Sequence, residues 1–331
     1  MVNVTNATLA KVPFDLAHWS AVAAEKYPNG LPKPHSDDPT QWLFDGHPRR
    51  ATQPLQVAVA RLCGYRWPRQ TGSDFPDCPA LGPDGLESLV DNDGIVCLSA
   101  VAGERPAADR VVELLAAAYG ADWSDDELQR LLTGVGYGQK TLEAWLETAF
   151  FEQHCKLFQH RPFIWHIWDG VRGGFSALLH YHRLDYKTLE KLTYTYLGDW
   201  ITRQEHGVRG GTDGAKDRLA AAQNLQRELE KILAGEKPYD IFVRWKPLDK
   251  QPVGWNPDLD DGVRLNIRPF LLARDVGSKG AGVLRWKPNV HWKSDRGQDV
   301  QSAPWYGMFQ GERVNDHHLA LAEKTAGRPE Q

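Results

Sequence analysis

Three consecutive stretches decide the fold: Pro162-Phe163-Ile164-Trp165-His166-Ile167-Trp168-Asp169, the link Gly170-Val171-Arg172-Gly173, and Gly174-Phe175-Ser176-Ala177-Leu178-Leu179-His180-Tyr181. Two aromatic and apolar runs joined by a glycine-bearing turn read as a β-hairpin. Working outward from it, Leu142, Trp145, Leu146, Ala149 and Phe150 recur at helical spacing. They predict one helix from Thr141 to about Phe158, ended by Arg161-Pro162. On the other side Asp185 is placed to cap a helix whose stripe is Leu189, Leu192, Tyr196 and Trp200. The glycines between Gly207 and Gly214 predict a break, after which Ala215 to Leu233 forms a helix with Leu225, Leu229 and Ile232 inward.

Farther out the signals thin. Ser124 and Glu127 stand in a capping-box relation at a helix start, and a helix is expected from about Ala107 to Tyr119. Ile95-Val96-Cys97-Leu98 reads as a short strand, and Gln70 to Asp93 as a surface excursion rich in Gly, Pro and Asp. Pro54 to Leu62 looks helical and stops at Gly64, while Pro28 to Pro54 is too proline-rich for regular helix and reads as an ordered loop. Beyond residue 235, Ile241-Phe242-Val243 and Val263 to Phe270 look like strands. The expected class is α+β: a helical middle with a β-hairpin and an irregular, β-rich C-terminal part. Three regions are expected: a loop-rich 1–104, a helical 105–235 with the hairpin near 162–182, and a basic, Trp-rich 236–331.

At 331 residues the chain exceeds the usual limit of one hydrophobic core. Its 41% hydrophobic and 25% charged content is that of a globular protein, which excludes wholesale disorder. Thirteen tryptophans predict aromatic clusters, stacking platforms or interface anchors. The cysteines Cys63, Cys78, Cys97 and Cys155 form no C-x-x-C pair, so reduced thiols in a cytoplasm are expected rather than a zinc ribbon or a disulfide framework. No signal-like start and no apolar run of membrane-spanning length is present in the sequence. Net charge is −4, unevenly spread. Residues 1–160 hold 13 Lys+Arg against 21 Asp+Glu, residues 161–331 hold 26 against 22. Between Arg264 and Arg296, eight basic residues face two acids, which points to an anionic partner, most often nucleic acid.

Catalytic patterns fail where they are looked for. An adenine methyltransferase holds its extruded base with an Asn/Asp-Pro-Pro-Tyr/Phe motif. Here Asn256-Pro257-Asp258-Leu259 lacks the second proline and the aromatic ring and reads as a turn. Gly134-Val135-Gly136-Tyr137-Gly138 follows a helix rather than a strand and reads as an inter-helix loop, not a methyl-donor cradle. His154, His160, His166, His180 and His182 match no metal-ligand spacing and read as structural. Asp169 with Asp185-Tyr186-Lys187 is compatible with a Mg²⁺-dependent nuclease, though Asp185 is explained more simply as a cap. The suggestive pattern is basic and aromatic: Arg244-Trp245-Lys246, Arg285-Trp286-Lys287 and His291-Trp292-Lys293 combine phosphate-binding cations with rings able to stack on bases. Candidate DNA-contacting residues are Arg264, Arg268, Arg274, Lys279, Arg285, Trp286, Lys287, Trp292, Lys293 and Arg296.

Several runs resemble the C-terminal region of the large adenine-specific DNA methyltransferases of bacterial phage defence, as in BREX, DISARM and related restriction-modification systems. They include Ala24-Glu25-Lys26-Tyr27-Pro28-Asn29-Gly30-Leu31-Pro32, Asp37-Asp38-Pro39-Thr40-Gln41-Trp42-Leu43-Phe44 and Phe150-Phe151-Glu152-Gln153-His154-Cys155-Lys156-Leu157-Phe158. More specific are Arg161 to Gly170, Leu192-Thr193-Tyr194-Thr195-Tyr196-Leu197-Gly198-Asp199-Trp200-Ile201, Asp260 to Phe270 and Gly280 to Pro288. The resemblance implies a non-catalytic part serving target recognition, DNA clamping or support, either a separate subunit or a truncated gene product. It carries over no catalytic residue. It implies double-stranded DNA and a catalytic methyltransferase polypeptide as partners, with S-adenosylmethionine bound by that partner and no cofactor in this chain. A module that docks on the methyltransferase without touching DNA is the alternative reading.

Overall fold

The computed structural model describes residues 12–28, 35–73, 78–158, 162–234 and 322. It falls into two units, Met1–Ser36 and Asp37–Gln331. In the first, α1 (Leu16–Lys26) starts where the Asp15 side chain accepts a hydrogen bond from the His18 N–H. No residue of α1 is buried.

In the second unit the predicted hairpin is present: β2 (Ile164–Trp168) and β3 (Ser176–His180) pair antiparallel, with Ile164 opposite His180 and Trp168 opposite Ser176. The Ile95 run is the third strand, β1 (Ile95–Cys97). It lies antiparallel on the far edge of β3, giving the order β1-β3-β2. Every residue of β1 and β3 is buried, so the small sheet is covered on both faces. The class is α+β, as expected from sequence.

The helices arrive largely where periodicity puts them. These are α2 (Pro54–Leu62), a single turn α3 (Pro68–Thr71), α4 (Ala107–Tyr119) and α5 (Asp125–Gly134). Gly64, just past α2, takes φ +84°, the left-handed geometry that ends helices. Ser124 caps α5 by accepting from the Glu127 N–H, but the capping box is only half made, because the Glu127 carboxylate turns to Arg130.

Two expectations are corrected. The helix from Thr141 to Phe158 is two, α6 (Leu142–Thr148) and α7 (Phe150–Leu157), broken at Ala149 with φ −129° and ψ −30°. The Thr148 hydroxyl bonds the Ala144 carbonyl at 2.6 Å and the Tyr137 hydroxyl at 2.8 Å. Such back-bonding diverts the last turn and bends the chain, so that Trp145 and Phe150 meet edge to face. Likewise the break at Gly207 comes later. After α8 (Tyr186–Lys191) and a π-helical turn (Leu192–Tyr196), α9 (Leu197–Arg209) runs through Gly207, and the chain turns only at Gly211 and Gly214. A Cβ on Gly207 would stand 3.1 Å from the Ala215 Cβ. That glycine lets α10 (Ala215–Ala234) approach closely rather than ending α9.

The stripe Leu189, Leu192, Tyr196 and Trp200 is buried, and so are Leu225, Leu229 and Ile232. Half of the eight tryptophans in the described residues are core: Trp67, Trp145, Trp165 and Trp200 are inside, Trp123 and Trp168 are half-buried, and Trp19 and Trp42 are about half exposed. The expected strands Ile241–Val243 and Val263–Phe270 lie outside the described residues. No helix of the described residues is long and apolar enough to cross a membrane.

Candidate functional site

The ten residues expected to contact DNA, Arg264 through Arg296, and the Asn256-Pro257 turn lie outside the described residues. What the structure brings together elsewhere is different from what the sequence suggested.

A polar relay crosses the core between α2, α7 and β2. The backbone N–H groups of Ile164 and Phe163 donate to His154 Nε2 at 3.2 and 3.3 Å. An accepting Nε2 places the ring proton on Nδ1, which then donates to Gln56 Oε1 at 3.1 Å, and Gln56 Nε2 donates to the Phe150 carbonyl at 3.3 Å. Each member is satisfied only with a neutral imidazole, and complete burial holds the His154 pKa down to about 3. His166, two residues on from Ile164 and on the same strand face, is also fully buried, with its pKa held down to about 3, yet neither of its nitrogens has a partner. Within the described residues no group of three or more His, Cys, Asp or Glu is arranged to hold a metal ion. All four thiols are buried, and burial pushes Cys63 and Cys97 well up, away from the reactive thiolate.

Among the described residues a cluster of charge with little local sequence signature gathers at the entry to β1. Asp91, read as the end of a surface excursion, is buried. Its Oδ1 accepts from the N–H groups of Asp93, Gly94 and Ile95, fixing the entry to β1, and its Oδ2 pairs with Arg110 at 2.7 Å. Arg110 also reaches Glu104, and Lys191 pairs with Asp93. Between the last two carboxylates sits Tyr196, delivered by the π-helical turn, with its hydroxyl 2.9 Å from Asp93 and 2.7 Å from Glu104. One hydroxyl proton serves one carboxylate at a time. Burial raises the Asp93 carboxyl, but hydrogen bonds from its neighbours, Lys191 and Tyr196 among them, outweigh that and hold it low. Burial raises Glu104 with less to oppose it. Three carboxylates against two cations, all mutually bonded, make a clamp between the β1 entry, α4 and the π turn.

The carboxylates weighed for a nuclease are occupied. Asp169 closes the hairpin turn by accepting from Val171 N–H at 3.0 Å and Phe175 N–H at 2.8 Å, and Asp185 caps α8 by accepting from Thr188 N–H at 2.8 Å.

Among the described residues, depressions in the surface include two beside arginines. One, of about 210 Å³, lies at the start of α2 beside Arg49 and Arg130. Both cations there are already paired, with Asp122 and Glu127. The other, of about 340 Å³, is walled by Tyr65, Arg66, Gln70, Leu81, Pro83 and Val90, a size in the range of small-ligand sites. Tyr65 stacks on Phe163 with centroids 3.8 Å apart and meets Trp67 edge to face, so this wall is rigid. Arg61 forms part of the floor, buried and held by Asp84 and the Gly46 carbonyl.

No family model matches the chain. Over 144 residues, 40% of its length, it is 27% identical to the adenine-specific methyltransferase BrxX of Escherichia coli O9:H4 (strain HS). Over 99 residues, 28% of its length, it is 28% identical to the adenine-specific methyltransferase PglX of Lacticaseibacillus casei (strain Zhang). Both relatives are adenine-specific methyltransferases. The chain spans only 11% and 8% of their respective lengths, so it resembles a small part of each. That agrees with the resemblance carried by its aromatic and apolar runs.

Proposed function

We propose that this chain is a non-catalytic part of an adenine-specific DNA methyltransferase of bacterial phage defence, gripping duplex DNA in the cytoplasm alongside a catalytic polypeptide that binds S-adenosylmethionine. The observation that carries this reading is the partial similarity to two adenine-specific methyltransferases, each many times longer than the matched segment. The local excess of cations between Arg264 and Arg296, interleaved with Trp286 and Trp292, supplies the grip.

The test is duplex affinity as a function of salt. Each phosphate contact contributes about 0.9 to the slope of log affinity against log salt. Replacing Arg285, Lys287 and Lys293 together by Ala lowers that slope by up to about 2.7 if all three meet phosphates. An unchanged slope removes these residues from the interface.

A second reading has one observation in its favour. Phe14 and Leu16 are each 68% exposed and Trp19 is 52% exposed, in a unit whose helix buries nothing. An 11-residue helix is marginal in water without packing, so this apolar surface suits docking on the methyltransferase. If the chain binds no duplex at low salt but binds the catalytic polypeptide, docking alone is its role.

A further inference from the structure

The acidic first half of the chain neutralises its arginines one by one. Among the described residues from 37 to 158, Arg49, Arg50, Arg61, Arg105, Arg110 and Arg130 each sit in an ion pair with an Asp or Glu. Arg66 and Arg69 do not, although acids outnumber bases in this stretch; Arg66 belongs to the Tyr65 cleft and Arg69 precedes its lining residue Gln70. Arg66 lines it, its guanidinium held only by a 3.4 Å bond to the Gln70 carbonyl. Arg69 donates to the Pro79 carbonyl, at the base of the loop whose Leu81 and Pro83 make the opposite wall. A third unpaired arginine reaches the same place from the end of β3. Arg183 is anchored to the Asn92 carbonyl, and a Cβ on Gly64, a lining residue, would fall 2.7 Å from its Nη1. The one acid among the described lining residues is Glu87, and its carboxylate is turned onto the N–H groups of Asp84 and Gly85. Arg61 and Asp84 cancel, so among the described residues Arg66 in the lining, with Arg69 and Arg183 near its edge, outnumbers Glu87.

Paired surface charges gain little, and a chain rich in acids has no difficulty supplying partners. A guanidinium lining a rigid concavity with two more near its edge, none paired with a described carboxylate, is suited to an external oxyanion, for which Arg offers fork-shaped donors. We propose that the cleft is a second nucleic-acid contact, in which Arg66, with Arg69 and Arg183 at its rim, holds a backbone phosphate beside the Tyr65 ring. The inference rests on the DNA-binding reading above. It adds a site in the acidic half, separate in sequence from Arg264–Arg296.

The experiment follows a short labelled duplex by fluorescence anisotropy across a salt series, using the full chain. Arg66→Ala and Arg69→Ala are the test variants, Arg66→Glu the reversal, and Arg105→Ala, which removes an exposed pair with Glu113, the control. Each test Ala variant is expected to lower the salt slope by up to about 0.9, with Arg66→Glu weakening binding further and Arg105→Ala leaving it unchanged. Unfolding midpoints equal to wild type establish that the fold is intact. Duplex binding that is steep in salt but identical in Arg66→Ala, Arg69→Ala and Arg66→Glu overturns the cleft while leaving the general reading standing. No duplex binding by the intact chain overturns both. Inorganic phosphate, titrated at constant ionic strength, is the remaining arm. Saturable binding that Arg66→Ala abolishes, together with an unchanged duplex slope, makes the cleft a free-anion site and overturns its assignment to nucleic acid.

Discussion

Acidification to pH 5 should destabilise this protein sharply, and the cause is two imidazoles. His154 and His166 are wholly buried, with pKa values held down to about 3 against 6.5 for the free side chain. A group whose folded pKa is depressed contributes stability that is complete above its unfolded pKa and is lost as pH falls toward the folded value. At pH 5 the unfolded chain binds about one proton at each histidine while the folded chain binds none. Each pH unit below 6.5 therefore removes about 1.4 kcal/mol per histidine, or about 4 kcal/mol for the pair by pH 5. His180, lowered to about 4 mainly by burial, pulls in the same direction. Asp84, Asp93 and Asp185 are lowered carboxylates, whose contribution is lost mainly below this window. Glu104, raised chiefly by burial, works against the histidines. For that reason the decisive comparison is between wild type and His166→Leu, by urea unfolding at pH 7 and pH 5. The variant removes an imidazole with no hydrogen-bond partner, so it should gain about 1 kcal/mol at pH 7 and lose about 2 kcal/mol less than wild type on acidification. Parallel pH dependences for the two proteins would refute the argument, because they would mean that His166 is already protonated or solvated in the fold.

Two further outcomes follow from the hydrogen bonds. Tyr196→Phe should cost about 1–3 kcal/mol, since it leaves Asp93 and Glu104 facing each other without the hydroxyl between them. A urea midpoint within error of wild type would show that the clamp does not depend on it. Asp169→Ala should lose about 1–3 kcal/mol, because the hairpin's Val171 and Phe175 N–H groups lose their acceptor. If instead it abolished a Mg²⁺-dependent DNA cleavage activity without loss of stability, the carboxylate would be catalytic.

The elements that sequence located were those with a local cause. The hairpin announces itself by two apolar runs and a glycine link, and α4, α8 and α10 by stripes that bury one face. Asp185 and Ser124 each cap the helix that sequence assigned them. Failures came where a side chain overrides the pattern. Nothing in the periodicity of residues 141–158 reveals that the Thr148 hydroxyl reaches back to Ala144, and a glycine count cannot separate a helix break from a close helix crossing at Gly207. The clamp and the cleft were invisible for another reason. Asp93 meets Tyr196, and Gly64 meets Arg183, across more than a hundred residues of chain, so the only sequence trace of the clamp is Asp91-Asn92-Asp93-Gly94 just before a strand. Of the histidines read as structural, His154 works as a core acceptor with its tautomer fixed by its partners, while His160 lies outside the described residues.

The formal charge of the first half also misleads about what a polyanion would meet there. Residues 1–160 sum to −8, which taken alone would repel DNA. Many of those acids are committed inward, however: Asp84 to Arg61, Asp91 and Glu104 to Arg110, Asp93 to Lys191 and Tyr196. At physiological salt the screening length is about 8 Å, so an exposed acid on α5, such as Asp125 or Asp126, is felt only by what lies close to it. Among the described residues, what a phosphate senses at the Tyr65 cleft is then weighted to the nearby guanidiniums of Arg66, Arg69 and Arg183 and to Glu87, not to the sum over the sequence. An acidic half can thus carry a nucleic-acid contact, provided that it pairs its other arginines and leaves these few exposed together.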